Sequence, residues 1–413
     1  MTHLTCLESG ATVLTEHMPA RFGAVLALWF RAGAAYDPPG TQGLSHLLEH
    51  MLFKGTEQRS ALQLAVLLDA IGADLNATTD HEFAAYDCYL LGEEVAAAAD
   101  VLCDQCLRST LTPADLETER HVVLEELAAY EDSPEEVVMD AAAAALWAGH
   151  PLSHPVLGVR EQLEAVDRPT LEAYWRARYQ PGALVASAAG AVEHGAVVAA
   201  LEERLGPSAG RPAGLDEPSA AIPQRATHAL QRDTAQVYLC LASPAAGAGD
   251  PARFADAVLA TALGGCPSSR LFQEIRERRG LAYHIESFTG TYRTNGALYI
   301  HVGAQAAAVP AVLELIRREL AAICREGLTE EELHRTRDQL VARVRLDGDS
   351  PGAAARRLGL NWLLRGELIA PETVIHHLQH VTGQDVVERA RNSLADGPWV
   401  VAALGPVEEG ALH

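Results

Sequence analysis

Apolar positions along this chain fall into two patterns that recur in the same order. From Val13 to Phe30 they cluster in short β-rich runs, which predict strands. From Leu44 to Phe53 they tighten to the spacing of an apolar helix. The second half repeats this order, with a β-rich stretch at Ala229–Leu241 and an apolar helix over Phe254–Leu263. Further helices follow in each half, and each closes on a strand, Leu184–Ala191 in the first and Trp399–Ala403 in the second. The repeat is weak but consistent, and it predicts two related α+β lobes. With 413 residues the chain exceeds one ordinary hydrophobic core, so two domains are the default. A stretch rich in Gly, Pro and Ala, starting at Leu205-Gly206-Pro207 and running to Pro223, reads as the linker. The expected division is therefore residues 1–204, a connecting segment 205–225, and residues 226–413.

Within the first apolar helix stands His46-Leu47-Leu48-Glu49-His50. Residues four apart share a helix face, so His46 and His50 can grip one metal ion, and Glu49 projects from nearly the same side. A zinc ion acidifies water that it binds, and a neighbouring carboxylate can take the proton. The order H-x-x-E-H inverts the commoner zinc-protease motif. Taken alone, the same letters also describe solvated side chains on a surface helix.

A catalytic zinc needs three protein ligands, and the third has to come from a second rigid element. The segment Leu111–Leu127 has the right character. Thr112 reads as a helix N-cap, Pro113 as the first helical residue and Asp115 as the acidic partner of a capping box. Leu116, Val123 and Leu127 recur as a buried stripe. Glu119 and Glu126, seven apart, stack on one face, whereas Glu125 points about 100° away from Glu126. Only the first lobe carries such a set of ligands.

His46, Glu49 and His50, with Glu126 following 76 residues beyond His50, resemble the pitrilysin/insulinase family of zinc peptidases. The likeness is closest to its small bacterial members and to the mitochondrial processing peptidases. Flanking text agrees, with Phe30-Arg31-Ala32-Gly33-Ala34 before the motif and Glu49-His50-Met51-Leu52-Phe53-Lys54-Gly55-Thr56 across it. The resemblance implies one zinc ion per chain held by His46, His50 and Glu126, with Glu49 as general base and Glu119 as the supporting glutamate of the second helix. Gly72–Thr79 resembles the family's edge strand, on which Asn76 and Ala77 would hold the substrate backbone by β-augmentation. On its residues alone that segment reads as a glycine-flanked hairpin strand with a turn-forming Asn. In the second half, Ser268–Tyr283 resembles the motif whose Arg and Tyr, here Arg276 and Tyr283, stabilise the charged transition state. Arg270, Arg278 and Arg279 lack that match and read as surface or packing charges. Gly264-Gly265-Cys266-Pro267 departs from the family's more glycine-rich loop, so no gating role carries over to it.

The resemblance spans essentially the whole chain and implies a processing-peptidase-like fold: two homologous α/β-roll lobes, each a mixed sheet packed with helices. It further implies a zinc-dependent endopeptidase that cleaves peptides or leader sequences inside a closed chamber. Two chains would face one another, with Arg276 and Tyr283 of one completing the zinc site of the other. Since both half-sites are on this chain, a homodimer is the simplest arrangement; a heterodimer with a related, metal-free subunit is the alternative. A non-catalytic structural subunit would be marked by loss of a ligand or of Glu49, and none is lost. The ribosylhomocysteine lyase shares only H-x-x-E-H, and it takes a Cys as its third ligand.

Composition narrows the picture further. A formal net charge of −23 argues against nucleic acid as a partner, since phosphates demand basic patches. It suits an acidic cavity for basic peptides and a solubilising surface equally well. No Gly-rich phosphate loop of the G-x-x-x-x-G-K-S/T type occurs. Hydrophobic residues make up 48% of the chain, yet no run reaches the length of a membrane span. The first ten residues have neither a basic start nor an apolar core, so no secretory signal and a cytoplasmic location are expected. Seven scattered cysteines include Cys103-x-x-Cys106 in an apolar helical segment, which reads as buried thiols before a zinc knuckle or redox pair.

Overall fold

The computed structural model describes residues 2–206 and 217–412, so part of the expected connecting segment, 207–216, lies outside the described residues. The first half contains strands β1 (Thr2–Cys6), β2 (Thr12–His17) and β3 (Gly23–Phe30), then helices α1 (Leu44–Leu52) and α2 (Ala61–Ala70). Strands β4 (Asp74–Thr79) and β5 (Ala84–Leu91) follow, then α3 (Val95–Leu107), α4 (Pro113–Glu131), α5 (Pro134–Leu146), α6 (Arg160–Ala165) and α7 (Arg168–Arg178). Strand β6 (Val185–Gly190) and α8 (His194–Leu205) complete it. The second half runs β7 (Ala226–Gln231), β8 (Val237–Ala246), α9 (Arg253–Gly264), β9 (Ala282–Thr291) and β10 (Asn295–Ala304). Helices α10 (Val309–Glu326), α11 (Glu330–Asp347), α12 (Pro351–Arg365), α13 (Pro371–His380) and α14 (Gly383–Leu394) lead to β11 (Val400–Gly405). None of the described helices is long and apolar enough to cross a membrane.

The two sheets have one topology. The first is ordered β1-β2-β6-β3-β5-β4 and the second β7-β11-β8-β10-β9. Leaving out β1, each position corresponds: β2 with β7, β6 with β11, β3 with β8, β5 with β10 and β4 with β9. The single parallel pair of each sheet also corresponds, β2 with β6 and β7 with β11. The repeat legible in the sequence is therefore a duplicated mixed sheet, and the two-lobed α+β architecture is as expected.

Central strands are buried on both faces, as their near-continuous apolar text requires. On β3, Ala24, Leu26, Leu28 and Phe30 join a core containing residues of α1, α3, α4 and α8. Ala27 and Trp29, on the opposite face, meet Leu358 and Leu363 of α12. In the second sheet Leu239, Leu241, Leu298, Ile300 and Val302 face a core built with α9, α10 and α14. Its other face is covered by α5, which packs on β8 and β11.

These covering helices come from the opposite halves of the sequence. Helix α12 belongs to a compact unit made of Met1–Leu127, His154–Pro218 and Leu346–Ile369. Helix α5 belongs to the other unit, made of Ala128–Ser153, Ser219–Arg345 and Ala370–His413. Each sheet thus receives one outer helix from the other half of the chain.

Helix α12 approaches β3 so closely that only glycine fits at one point. A Cβ on Gly359 would lie 2.2 Å from Trp29 Nε1. The indole has little room to yield, because it donates a 2.8 Å hydrogen bond to Ser187 Oγ and packs on Phe83. In an open helix Gly→Ala stabilises by about 1 kcal/mol. Here overpacking, typically costing ~1–3 kcal/mol, opposes that gain. Gly359→Ala is expected to lower the melting temperature. Gly352→Ala in the same helix, where a Cβ would meet only Ser350 Oγ at 3.8 Å, is expected to hold or raise it. Thermal unfolding of the two variants decides, and equal shifts would reject the close contact as the cause.

Candidate metal centre

Helix α1 carries two interlocking stripes. Leu44, Leu47, Leu48, Met51 and Leu52 are fully buried, each burial contributing roughly 1.5–3 kcal/mol relative to exposure. That stripe fixes the helix rotation and leaves His46, Glu49 and His50 on a shared face. The helix starts at Gly43, whose φ of 96° lies in the left-handed region. A Cβ there would lie 2.8 Å from the Gly158 Cα. With no capping side chain at that position, the helix amides are satisfied from upstream. Asp37 Oδ2 accepts from the Gly43 amide at 2.8 Å, and Oδ1 accepts from the Ser45 amide at 3.0 Å and the Ser45 hydroxyl at 2.5 Å. The Ser45 hydroxyl also meets the Tyr174 hydroxyl at 2.6 Å. Burial pushes the Asp37 carboxyl up to about 7, against hydrogen bonds from Ser45 and Gly43 that favour its charged form.

Helix α4 supplies the second wall. As expected, Thr112 caps it: its hydroxyl accepts from the Asp115 amide at 3.2 Å and bonds the Asp115 carboxylate at 2.5 Å. Leu116, Val123 and Leu127 are buried and hold the helix against the core. This turns Glu119 and Glu126 toward α1; Glu125 and Glu126 are both open to solvent, and Glu126 is the one that meets His46 and His50.

His46, His50 and Glu126 each offer one ligand atom, all within 4.8 Å of one another. The meeting atoms are the two Nε2 nitrogens and Glu126 Oε2, which is 3.3 Å from His50 and 3.8 Å from His46. Zinc–nitrogen and zinc–oxygen bonds of ~2.0–2.1 Å in a tetrahedron put ligand atoms ~3.4 Å apart, so the spacing fits. Charge fits as well. Three carboxylates (Glu49, Glu119, Glu126) share the site with one ammonium, Lys54, an excess that a divalent cation balances. Burial, with His50 nearby, pushes His46 down to about 4, which leaves its imidazole in the neutral form that binds metal.

The remaining groups orient these. Glu119, almost fully buried, accepts from His50 Nδ1 at 3.3 Å and pairs with Lys54 Nζ at 2.5 Å. Carboxylates placed behind ligating histidines in this way fix ring orientation and raise basicity. His46 Nδ1, by contrast, is buried without a hydrogen-bond partner among the described residues. Glu49 is half-buried, and its Oε2 accepts a 2.5 Å hydrogen bond from Thr79 Oγ1 at the end of β4. Burial raises its pKa, Glu126 adds to the rise, and the Thr79 and His50 contacts oppose it.

The structure thus brings His46, Glu49, His50, Glu119 and Glu126 together. Asn76 and Ala77 lie on β4, the edge strand of the first sheet, which contacts α1. Arg276 and Tyr283 belong to the second compact unit, where the guanidinium lies over the Phe272 ring at 4.7 Å and the Tyr283 ring at 5.0 Å. Arg276 sits in a π-helical turn, Phe272–Glu277. Tyr283, 79% exposed, is the residue skipped where the β9–β10 register shifts, with His284 opposite Gly303 and Ala282 opposite Ala304. Such bulges re-aim side chains. Arg270 forms a two-pronged ion pair with Glu332, and Arg278 and Arg279 pair with Glu274, so these three are packing and surface charges. Cys103 and Cys106 are free, buried thiols of α3, and burial pushes Cys103 up to about 12.

Sequence reasoning missed Thr79, Lys54 and the Asp37–Ser45–Tyr174 group. Thr79 and Lys54 stand inside segments that were already singled out, and only spatial contact gives them partners. Asp37 acts on the helix from six residues before its N-cap, outside any capping pattern.

Comparison with known proteins agrees along the chain. A family model described as "Insulinase (Peptidase family M16)" matches residues 12–160, and one described as "Peptidase M16 inactive domain" matches residues 165–340. An uncharacterized zinc protease of Streptomyces coelicolor is 34% identical, over 98% of this chain and 90% of its own length. A crystal structure of a protease from Helicobacter pylori has a TM-score of 0.92 at 17% identity, covering 98% of this chain and 99% of that one. The peptidase M16 inactive domain from Pseudomonas fluorescens gives 0.90 at 21%, covering 98% of both chains. These two structures share the fold.

The geometry separates two adjacent glutamates. Purified chain is expected to hold about one zinc at this cluster. Glu126→Gln should lose that ion and Glu125→Gln should retain it, read by metal analysis after desalting. The reverse outcome would mean that the other face of α4 serves the metal.

Proposed function

The chain belongs to the insulinase family of peptidases, M16, and on that premise we propose that it is a zinc-dependent endopeptidase acting through the α1–α4 cluster. The observation that carries this reading is the convergence of His46, His50 and Glu126 beside a carboxylate, Glu49, that is fixed by Thr79. His46, His50 and Glu126 would hold the ion. Zinc, when bound, supplies Lewis acidity, polarising the scissile carbonyl and acidifying water.

The protein's own groups do the rest. Glu49 takes a proton from the attacking water and returns it to the leaving amine. Its raised pKa, a consequence of burial, brings it nearer to the working range of a base that must also serve as an acid. Glu119, anchored by Lys54, keeps the His50 ring turned so that Nε2 faces Glu126. Among the described residues strand β4 is paired on one side only, to β5, so its other edge can accept a peptide as an added strand through main-chain hydrogen bonds at Asn76 and Ala77. The same strand ends at Thr79, which links substrate position to the base. Arg276 and Tyr283 are the donors for the developing oxyanion, supplied across a dimer that encloses the substrate, with a metal-free homologous subunit as the alternative partner.

Replacing Glu49 separates binding from chemistry. Glu49→Gln is expected to keep zinc and fold but lose hydrolysis by about a hundredfold or more. The pH profile of kcat/KM supplies a second check in the same assay. The Thr79 hydroxyl favours the charged carboxylate, so Thr79→Val should raise the Glu49 pKa and move the acidic limb to higher pH. Near-normal cleavage by Glu49→Gln would sink the mechanism, and an unmoved limb would remove Thr79 from it.

Mixing variants tests the shared site. Glu49→Gln and Tyr283→Phe are each expected to be nearly inactive as homodimers. In a mixed dimer both lesions fall on one of the two shared sites and leave the other intact, so activity should return after subunit exchange. No recovery in a verified mixed dimer would reject the arrangement.

A further inference from the structure

A second cluster of ligand-bearing side chains lies in the second compact unit. His284 and Glu286 stand two apart on β9, so they project from the same face. His301 on β10 is paired directly opposite Glu286, which puts it on that face as well. One atom from each of the three lies within 4.8 Å of the others. His284 Nε2 is 3.4 Å from Glu286 Oε1, and the two imidazole centroids are 5.5 Å apart.

His301 is what distinguishes this group from a surface ion pair. It is only 4% exposed, and its Nε2 is buried with no hydrogen-bond partner among the described residues. An unpaired buried polar atom costs ~1–3 kcal/mol, so such a nitrogen calls for an explanation. The side chains of His284 and Glu286 are 46% and 48% exposed, so the cluster is open to solvent from the β9 edge while its third member lies inside. Burial and the neighbouring His284 lower the His301 pKa, which keeps its ring neutral; Glu135 of α5 and Glu286 oppose the shift and bring negative charge to the same place.

We propose that His284, Glu286 and His301 form a second metal site, for a divalent transition cation such as Zn²⁺ or Co²⁺, distinct from the α1–α4 cluster. Two imidazoles and a carboxylate are a donor set that suits such ions. Three protein ligands leave a position for water. The ion cross-links edge strand β9 to β10 immediately after the bulge that carries Tyr283, so its structural effect is to pin that strand end.

The test uses the full chain, stripped with chelator, reloaded with Co²⁺ and desalted. Wild type should retain one equivalent more than the double variant His284→Ala/Glu286→Gln. Reading the difference makes the result independent of how far the α1–α4 cluster fills. Both replaced side chains are partly exposed, so folding should survive, which circular dichroism checks. His301→Ala should lose the same equivalent, while His334→Ala, an exposed histidine paired with Asp338 on α11, should lose none. Equal metal content in wild type and the double variant would overturn the proposal. So would an equal loss in His334→Ala, which would mark the binding as unspecific.

Discussion

A helix of nine residues that buries one apolar stripe has no freedom left in the direction of its other stripe. This constraint on α1 organises the site. Short helices are marginal on their own and take their stability from tertiary contacts. Leu44, Leu47, Leu48, Met51 and Leu52 fill the core, and the rotation they impose is the one that turns His46, Glu49 and His50 toward α4. The amide end of the helix is held by Asp37, so position along the axis is fixed as well as rotation. Everything polar in the cluster, from Glu119 behind His50 to Thr79 behind Glu49, is built against this one rigid body.

Much of this was legible because local chemistry and tertiary role coincide. The spacing of His46, Glu49 and His50 needs only helix geometry, and the start of α4 is written in Thr112, Pro113 and Asp115. Helix geometry puts Glu119 and Glu126 on one face and Glu125 about 100° away, while it is the family resemblance that assigns Glu126 to the metal. The duplicated order of strands and helices was visible as weak repetition, and the sheets match it strand for strand apart from β1.

What stayed hidden depends on contacts distant in sequence. Helix α5 is alanine-rich and buries Val138, Ala142, Ala145 and Leu146, an apolar stripe that suits almost any sheet face, so nothing in its text says that it covers β8 and β11 rather than the sheet of its own half. Asp37 reaches α1 through a loop, and no sequence window joins Asp37, Ser45 and Tyr174. The Tyr283 bulge requires knowing which β10 residue opposes which β9 residue. His301 is joined to two other ligand-bearing side chains only through its pairing with Glu286, which no sequence window contains.

The exchange of α5 and α12 has a consequence for how the chain is made. The first unit draws on residues up to Ile369, although its sheet is complete in sequence by Gly190. During synthesis the apolar outer face of that sheet, with Trp29 and Phe83, stays uncovered until α12 emerges. At ~5–20 residues per second, the interval between Pro218 and Ile369 is about 8–30 s. For that time the outer apolar face of the sheet lacks the helix that covers it in the folded chain. The ligand cluster lies on the other face, so the polar residues of the site are gathered before the lobe that carries them is closed.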